Sequence, residues 1–398
     1  MSRFVIGLAV LGLAGMIFSP AGRADDIYFK ETRLFNLEEY KKLLKKEDAP
    51  PMPTPKDLEE TEKGVRSRVY KLTEHERHLK PGLMAAAYRD CDFLMTPVFA
   101  PETTNTPLQQ AFTRKMVEEL DTISKPKDQH AITRVNAARV LARLAELSGA
   151  EETADLAVKI IKSNDQVDGA RYWAFRTLKN LFTRARKAPE AARREKVVEA
   201  LVQFIERANK VGKDTPQEEL DGICVVRREA IRALAAVRDP GVANKKGGEA
   251  ALTLVRVLRR DKDLVPDPRL DEQVEAAIGL SNLRLDGKGD YQPGYAVHQI
   301  GQFVLEFFNR SRGNMTKREP FKIHAARMAE ALEQLATALP GDPTIKAVVP
   351  QAVAVLRAVE QGKGATSTDG LSSALANPPA ATSIYKSNPN AVVKPRES

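Results

Sequence analysis

Cysteine, histidine and tryptophan are scarce in this chain. Its 398 residues hold two cysteines, five histidines and one tryptophan, and aromatic residues make up 6%. Two cysteines in so long a chain exclude a disulfide-rich scaffold, and haem attachment would need paired cysteines beside a histidine. Cys91 and Cys224 read either as one pair or as separate thiols, with Cys224 a small buried hydrophobe in "GICVVRREAI". His75 and His78 in "HERHLK" stand at i and i+3, whereas the zinc-protease pattern needs i and i+4, where Leu79 lies. They read first as a solvated polar surface, with metal binding as the alternative. His130, His298 and His324 have no cysteine or carboxylate cluster at ligand spacing. Neither "DGKGDYQPG" nor "NKKGGEA" has the spacing of a phosphate loop, and no serine sits in a nucleophile elbow. No catalytic, cofactor-binding or metal-ligating residue is assigned, and an enzyme is not expected.

Long apolar runs are also missing after the first. "MSRFVIGLAVLGLAGMIFSPAGRADD" places Arg3 before an apolar run from Phe4 to Phe18, then Ser-Pro and small residues to Ala24, the pattern of a secretory signal peptide over residues 1–24. The run is short for a membrane span, which needs about 20 apolar residues. Cleavage after Ala24 is expected, giving an exported chain without a transmembrane anchor, periplasmic or extracellular. Losing Arg3 and Arg23 lowers the formal charge from +9 by two. The remaining basic surface favours anionic polymers or membrane faces.

What the chain does hold is Ala, Leu, Val, Arg and Glu at helical spacing. Residues 25–107 form an N-terminal extension, partly helical, with Asn36 as a helix cap and with proline-rich breaks at 49–55 and 96–107. From 108 to 361 apolar residues recur every three or four positions and no segment alternates with period two. After Gly362 the composition turns to Gly, Ser, Ala, Asn and Pro, and residues 362–398 are expected to be a disordered tail.

The helical region repeats itself. "TRVNAARVLARL", "ARYWAFRTLKNL", "VRREAIRALAAV", "EQVEAAIGLSNL" and "FKIHAARMAEAL" align on Ala137, Ala174, Ala230, Ala276 and Ala325. The intervals, about 37 to 56 residues, suit a two-helix repeat with loops of varying length. Between them lie "ETADLAVKIIK", "EKVVEALVQFIERA", "EAALTLVRVLRR", "YAVHQIGQFVLEFF" and "TIKAVVPQAVAVLRAV", each with large aliphatics at helical spacing. The unit is a helical hairpin. The small register side chain lets helices approach, and Leu141, Leu178, Leu234 and Leu280 fill the space four residues on. The fifth segment has Ala329 there and Leu332 completing its stripe.

These segments resemble the HEAT repeat family, in its bacterial HEAT-like, armadillo-type form, best from "VVRREAIRALAAVRDPGV" to "EAALTLVRVLRRDKD". The resemblance covers roughly 250 residues, counting a degenerate cap over 107–123, and implies an all-α superhelix of about five hairpins. It also implies a structural ladder in which Arg134, Arg171 and Arg227, three residues before each register alanine, meet turn aspartates. Gln273 and Lys322 depart from that pattern.

Two basic clusters and one aromatic group stand outside this packing logic. Residues 183–196 carry six positive and two negative side chains, and residues 309–318 carry four positives and no acid. The hairpin assignment puts them on opposite edges of the stack, as solvated edges or as sites for an anionic envelope polymer or a protein partner; they lack stacking aromatics, and nucleic acid is not an expected partner. Tyr172, Trp173 and Phe175 share one helix, so at least one ring points outward; Trp173 reads first as core, with a partner-binding anchor as the alternative. The expected function is a non-catalytic protein-binding or scaffolding module of the cell envelope or periplasm, with an unidentified protein partner. The alternatives are binding of an anionic envelope polymer through the basic edges, and a metal-dependent factor using His75, His78 and Cys91.

Overall fold

Small side chains at one register decide how the helices of this protein lie on one another. In the computed structural model, which describes residues 35–45, 52–127, 129–184, 189–207, 209, 211–212, 214–245, 247–284, 290–313, 318–363, 367–379, 381–391 and 393, all five register alanines are buried. The side chains of His75 and Arg318 lie outside that description, as does the whole segment read as a signal peptide. The protein is all-α. Among the described residues there is no β-strand, only two isolated bridges.

The first helices of the hairpins are α5 (Ala131–Ser148), α7 (Asp168–Arg184), α9 (Gln217–Val237), α11 (Leu270–Ser281) and α13 (Arg318–Ala338). The second helices are α6 (Glu152–Lys162), α8 (Ala191–Ile205), α10 (Ala250–Leu258), α12 (Pro293–Gly313) and α14 (Pro343–Glu360). Each first helix packs on the next first helix, and each second helix on the next second helix, so the hairpins stack in a solenoid-like array. Leu141, Leu178, Leu234, Leu280 and Leu332 are buried between layers as the periodicity requires. No hairpin buries both faces by itself, so each layer supplies its neighbour's core.

Among the described residues four longer helices precede the array, α1 (Leu37–Leu44), α2 (Pro55–Val69), α3 (Pro81–Val98) and α4 (Thr106–Ile123), with a 3-10 turn (Tyr70–Thr73) and a single helical turn (His75–His78) between α2 and α3. Asn36 caps α1 by accepting from the Glu38 and Glu39 amides, as its position predicts. Thr54 and Asp57 form a capping box on α2. Helix α3 packs on α5, and α4 on α5 and α6, repeating the arrangement of the later layers. Stacking therefore starts before residue 108. The proline-rich break read as the end of an extension is the turn between two helices of an additional layer, because a turn inside a hairpin and a linker between units use the same residues.

Over its described residues the C-terminal segment departs from the expectation of disorder, while 364–366, 380, 392 and 394–398 lie outside the description. Helix α15 (Asp369–Ala376) packs against α12 and α14, with Leu371 buried. Gly301 on α12 makes room for it: a side-chain carbon there would lie 2.8 Å from Leu375. The His298 ring donates to the Leu375 carbonyl at 3.2 Å. Beyond α15 the chain runs back across two earlier layers. Ile384 and Tyr385 are buried. The Tyr385 hydroxyl donates to the Pro240 carbonyl and accepts from the Ala251 amide, and Gln292 donates from its backbone and side chain to the Ile384 and Ser383 carbonyls. A few anchors suffice here because the site they enter is already formed by folded layers; the segment need not bury its own surface.

The expected arginine ladder takes a different form. Arg134 donates to the Asp165 carbonyl and the Gln166 side chain, and Arg171 to the Ser163 and Asn164 carbonyls and to Asp168 of its own helix. The turn before α7 presents backbone carbonyls and the Gln166 amide oxygen, not carboxylates, to those two guanidinium groups. Arg227 meets a glutamate instead: Glu272 accepts from it at 2.6 and 3.2 Å, both side chains being almost fully buried. At the same register Gln273 accepts from Arg310, and Lys322 pairs with Glu319 of its own helix.

Candidate functional site

Two positions of the repeat flank the core along the stack, their side chains half-buried to buried. They lie one residue before and two residues after each register alanine, three apart, and so share one side of the helix. They hold Asn136 and Arg139, Trp173 and Arg176, Glu229 and Arg232, Glu275 and Ile278, and His324 and Arg327. Four of five layers thus carry an arginine at the second position.

In the later layers these arginines are neutralised. Arg232 donates to Glu229 at 2.5 Å and to Glu275 at 2.7 Å, and Arg327 grips both oxygens of Glu275 at 2.8 and 2.9 Å. Burial raises the Glu275 carboxyl, but hydrogen bonds and charge from Arg327 and Arg232 outweigh it and hold the group at about 2.

In the earlier layers aromatic rings replace the acids. The Arg139 guanidinium lies 3.9 Å from the centre of the Tyr88 ring and 5.5 Å from that of Trp173. Arg176 lies 5.0 Å from Trp173 and 6.0 Å from Tyr172, and donates to the Tyr172 hydroxyl at 3.5 Å. Tyr172 and Trp173 meet edge to face at 5.6 Å. Among the described residues neither Arg139 nor Arg176 has a carboxylate partner, and the buried Arg139 Nε has no hydrogen-bond acceptor. One turn on, Arg143 is by contrast held by Asp92 at 2.7 Å and Glu146 at 3.0 Å. Tyr88, Arg139, Tyr172, Trp173 and Arg176 are all half-buried, so the row is partly accessible along three consecutive layers, with Tyr88 and Trp173 backed by the core. Cation–π contacts of this kind are worth about 0.5–2 kcal/mol each and fix the planes of the guanidinium groups.

Of the aromatic group singled out in the sequence, Phe175 enters the core against Phe204, Trp173 is half-buried and packs against the core, and Tyr172 is half-buried beside it. Tyr88, Arg139 and Arg176 were not picked out. Their signal is the arginine two places after the register alanine, together with the change from tryptophan to glutamate one place before it.

The remaining candidates are dispersed. His78 shares the Leu72 carbonyl with Thr133 and stacks on His130 at 4.8 Å, while His130 caps α5 through Ile132. Cys91 and Cys224 are separate, buried thiols, each pushed up to about 12 chiefly by burial. Among the described residues no three His, Cys, Asp or Glu side chains gather where a metal ion could be held. Within the first basic cluster Arg193 bridges to Glu151 and Asp155, and Arg194 to Asp239, so part of that charge ties layers together. Residues 185–188 and 314–317 of the two clusters lie outside the described residues. Among the described residues no helix is long and apolar enough to cross a membrane.

An all-α stack of helical hairpins carrying a half-buried aromatic and arginine row is the class of protein defined so far. No family model matches the chain, and no curated protein matches it. The crystal structure of SYS-1 aligns over 88% of this chain and 67% of its own, with 13% identity and a TM-score of 0.36. A likeness at that level carries no argument.

Proposed function

We propose that this chain is a non-catalytic protein-binding scaffold of the cell envelope or periplasm, a HEAT-like solenoid that meets its partner along the row of Tyr88, Arg139, Trp173 and Arg176. The supporting observation is that row itself: rings with guanidinium groups beside them, side chains enriched at the energetic centres of interfaces, held half-buried on three packed layers. Stacked layers supply the rigid backing that makes such anchors effective, since little side-chain freedom remains to be lost on binding. Export rests on the apolar run of residues 4–18 and its small-residue end.

The test is affinity capture from envelope extracts on immobilised full-length protein. Proteins held by the wild type and released by Trp173→Ala support the reading; an identical retained set on both removes it. Retention of anionic polymer alone, lost at modest salt, would favour the polymer alternative.

A further inference from the structure

The same two repeat positions behave differently in the two halves of the stack, and the difference points to a ligand. In the later layers Glu229 and Glu275 neutralise Arg232 and Arg327. In the earlier layers Asn136 and Trp173 occupy the acid's place, so Arg139 and Arg176 keep their charge. Both guanidinium carbons lie within 5.5 Å of one indole centre. They are therefore separated by no more than about one Debye length, ~10 Å at 0.1 M salt, and repel each other until an anion arrives. Among the described residues neither group has a carboxylate partner, and a carboxylate is the partner whose geometry matches the guanidinium fork.

We infer that this row is a docking site for an acidic, extended protein segment, whose carboxylates bridge Arg139 and Arg176 while its apolar side chains rest on Trp173 and Tyr88. In an extended chain, residues on one face recur about every 7 Å, which falls inside the upper limit of about 10 Å on the separation of the two guanidinium groups. The row also changes character from layer to layer. The Asp92–Arg143–Glu146 group lies beside it and Glu229 beyond it. A uniform polyanion would run onto these acids; a chain of mixed side chains would not. The inference rests on the scaffold reading and adds the chemistry of the partner.

The chain has a single tryptophan, so its emission reports on this site alone. The probe is a decapeptide alternating Asp and Leu, titrated into the full chain at about 0.1 M salt, with an Asn-Leu counterpart and polygalacturonate in parallel. A saturable change in Trp173 emission with the acidic peptide and none with its Asn counterpart is expected. The double variant Arg139→Gln, Arg176→Gln should weaken binding by about tenfold or more, the loss of at least one charge-assisted contact. Its circular dichroism and melting should match the wild type, and Arg357→Gln, on the distant α14, should bind normally. No saturable change with the acidic peptide, an unchanged Kd in the double variant, or tighter polygalacturonate binding through the same two arginines would overturn the inference. If the peptide fails while Trp173→Ala still releases a captured protein, the acidic partner falls and the scaffold stands. If capture fails too, both fall.

Discussion

Replacing Tyr385 tests whether the C-terminal segment holds the last layers together. The side chain is 1% exposed, and its hydroxyl bridges the Pro240 carbonyl and the Ala251 amide. That amide already reaches the Pro240 carbonyl at 2.9 Å. Tyr385→Phe therefore leaves no donor orphaned, and should cost about 1 kcal/mol, the net worth of one hydrogen bond. Tyr385→Ala also empties the buried site of the ring and should cost about 3–5 kcal/mol. In a stacked array that loss stays local, because each layer touches only its neighbours and whatever is strapped across them. Hydrogen exchange read peptide by peptide is the appropriate assay. The alanine variant should lose protection over residues 238–251 and 290–300 and keep it in α5, with the phenylalanine variant close to wild type. Unchanged protection of residues 238–251 in Tyr385→Ala would refute the strapping argument, and a phenylalanine variant as damaged as the alanine one would refute the division between ring and hydroxyl.

Two further outcomes follow from the ion pairs. Glu275 is held at about 2 against an ordinary 4.5. With its folded value below the unfolded one, its contribution is complete above about pH 4.5 and is lost as pH falls towards 2, amounting to roughly 3 kcal/mol at about 1.4 kcal/mol per pH unit. Urea midpoints of the wild type should fall more steeply over that window than those of Glu275→Gln; parallel curves would count against the fork of Arg232 and Arg327. For the buried pair, Arg227→Met strands the Glu272 carboxylate and should cost about 3–5 kcal/mol. Arg171→Met, which loses surface carbonyl contacts and an exposed aspartate, should cost about 1 kcal/mol. Equal losses in the two denaturation curves would show that the rungs do not differ as their partners suggest.

The helices and their stacking were legible because both follow from short-range pattern. The alanine register and the leucine four places on report a 3.6-residue period, and a period is local information. The sequence by itself thus determined the all-α class, the two-helix unit and the burial of Ala137, Ala174, Ala230, Ala276 and Ala325. It did not determine the partner of each side chain. Arg134 and Arg227 occupy one register position, yet one meets a carbonyl and an amide and the other a buried carboxylate. Arg134 reaches the turn that precedes α7, whereas Arg227 reaches the first turn of α11 itself, where Glu272 stands. The row on Tyr88, Arg139, Trp173 and Arg176 likewise joins three helices, and only stacking brings those rings over those cations. Most of all, tertiary structure decided the fate of residues 367–391. Their composition is too poor in large apolar side chains to form a core alone. Tyr385 finds one ready-made, between residues more than a hundred positions earlier, and a segment that docks into a finished site needs far less apolar surface than one that must build its own.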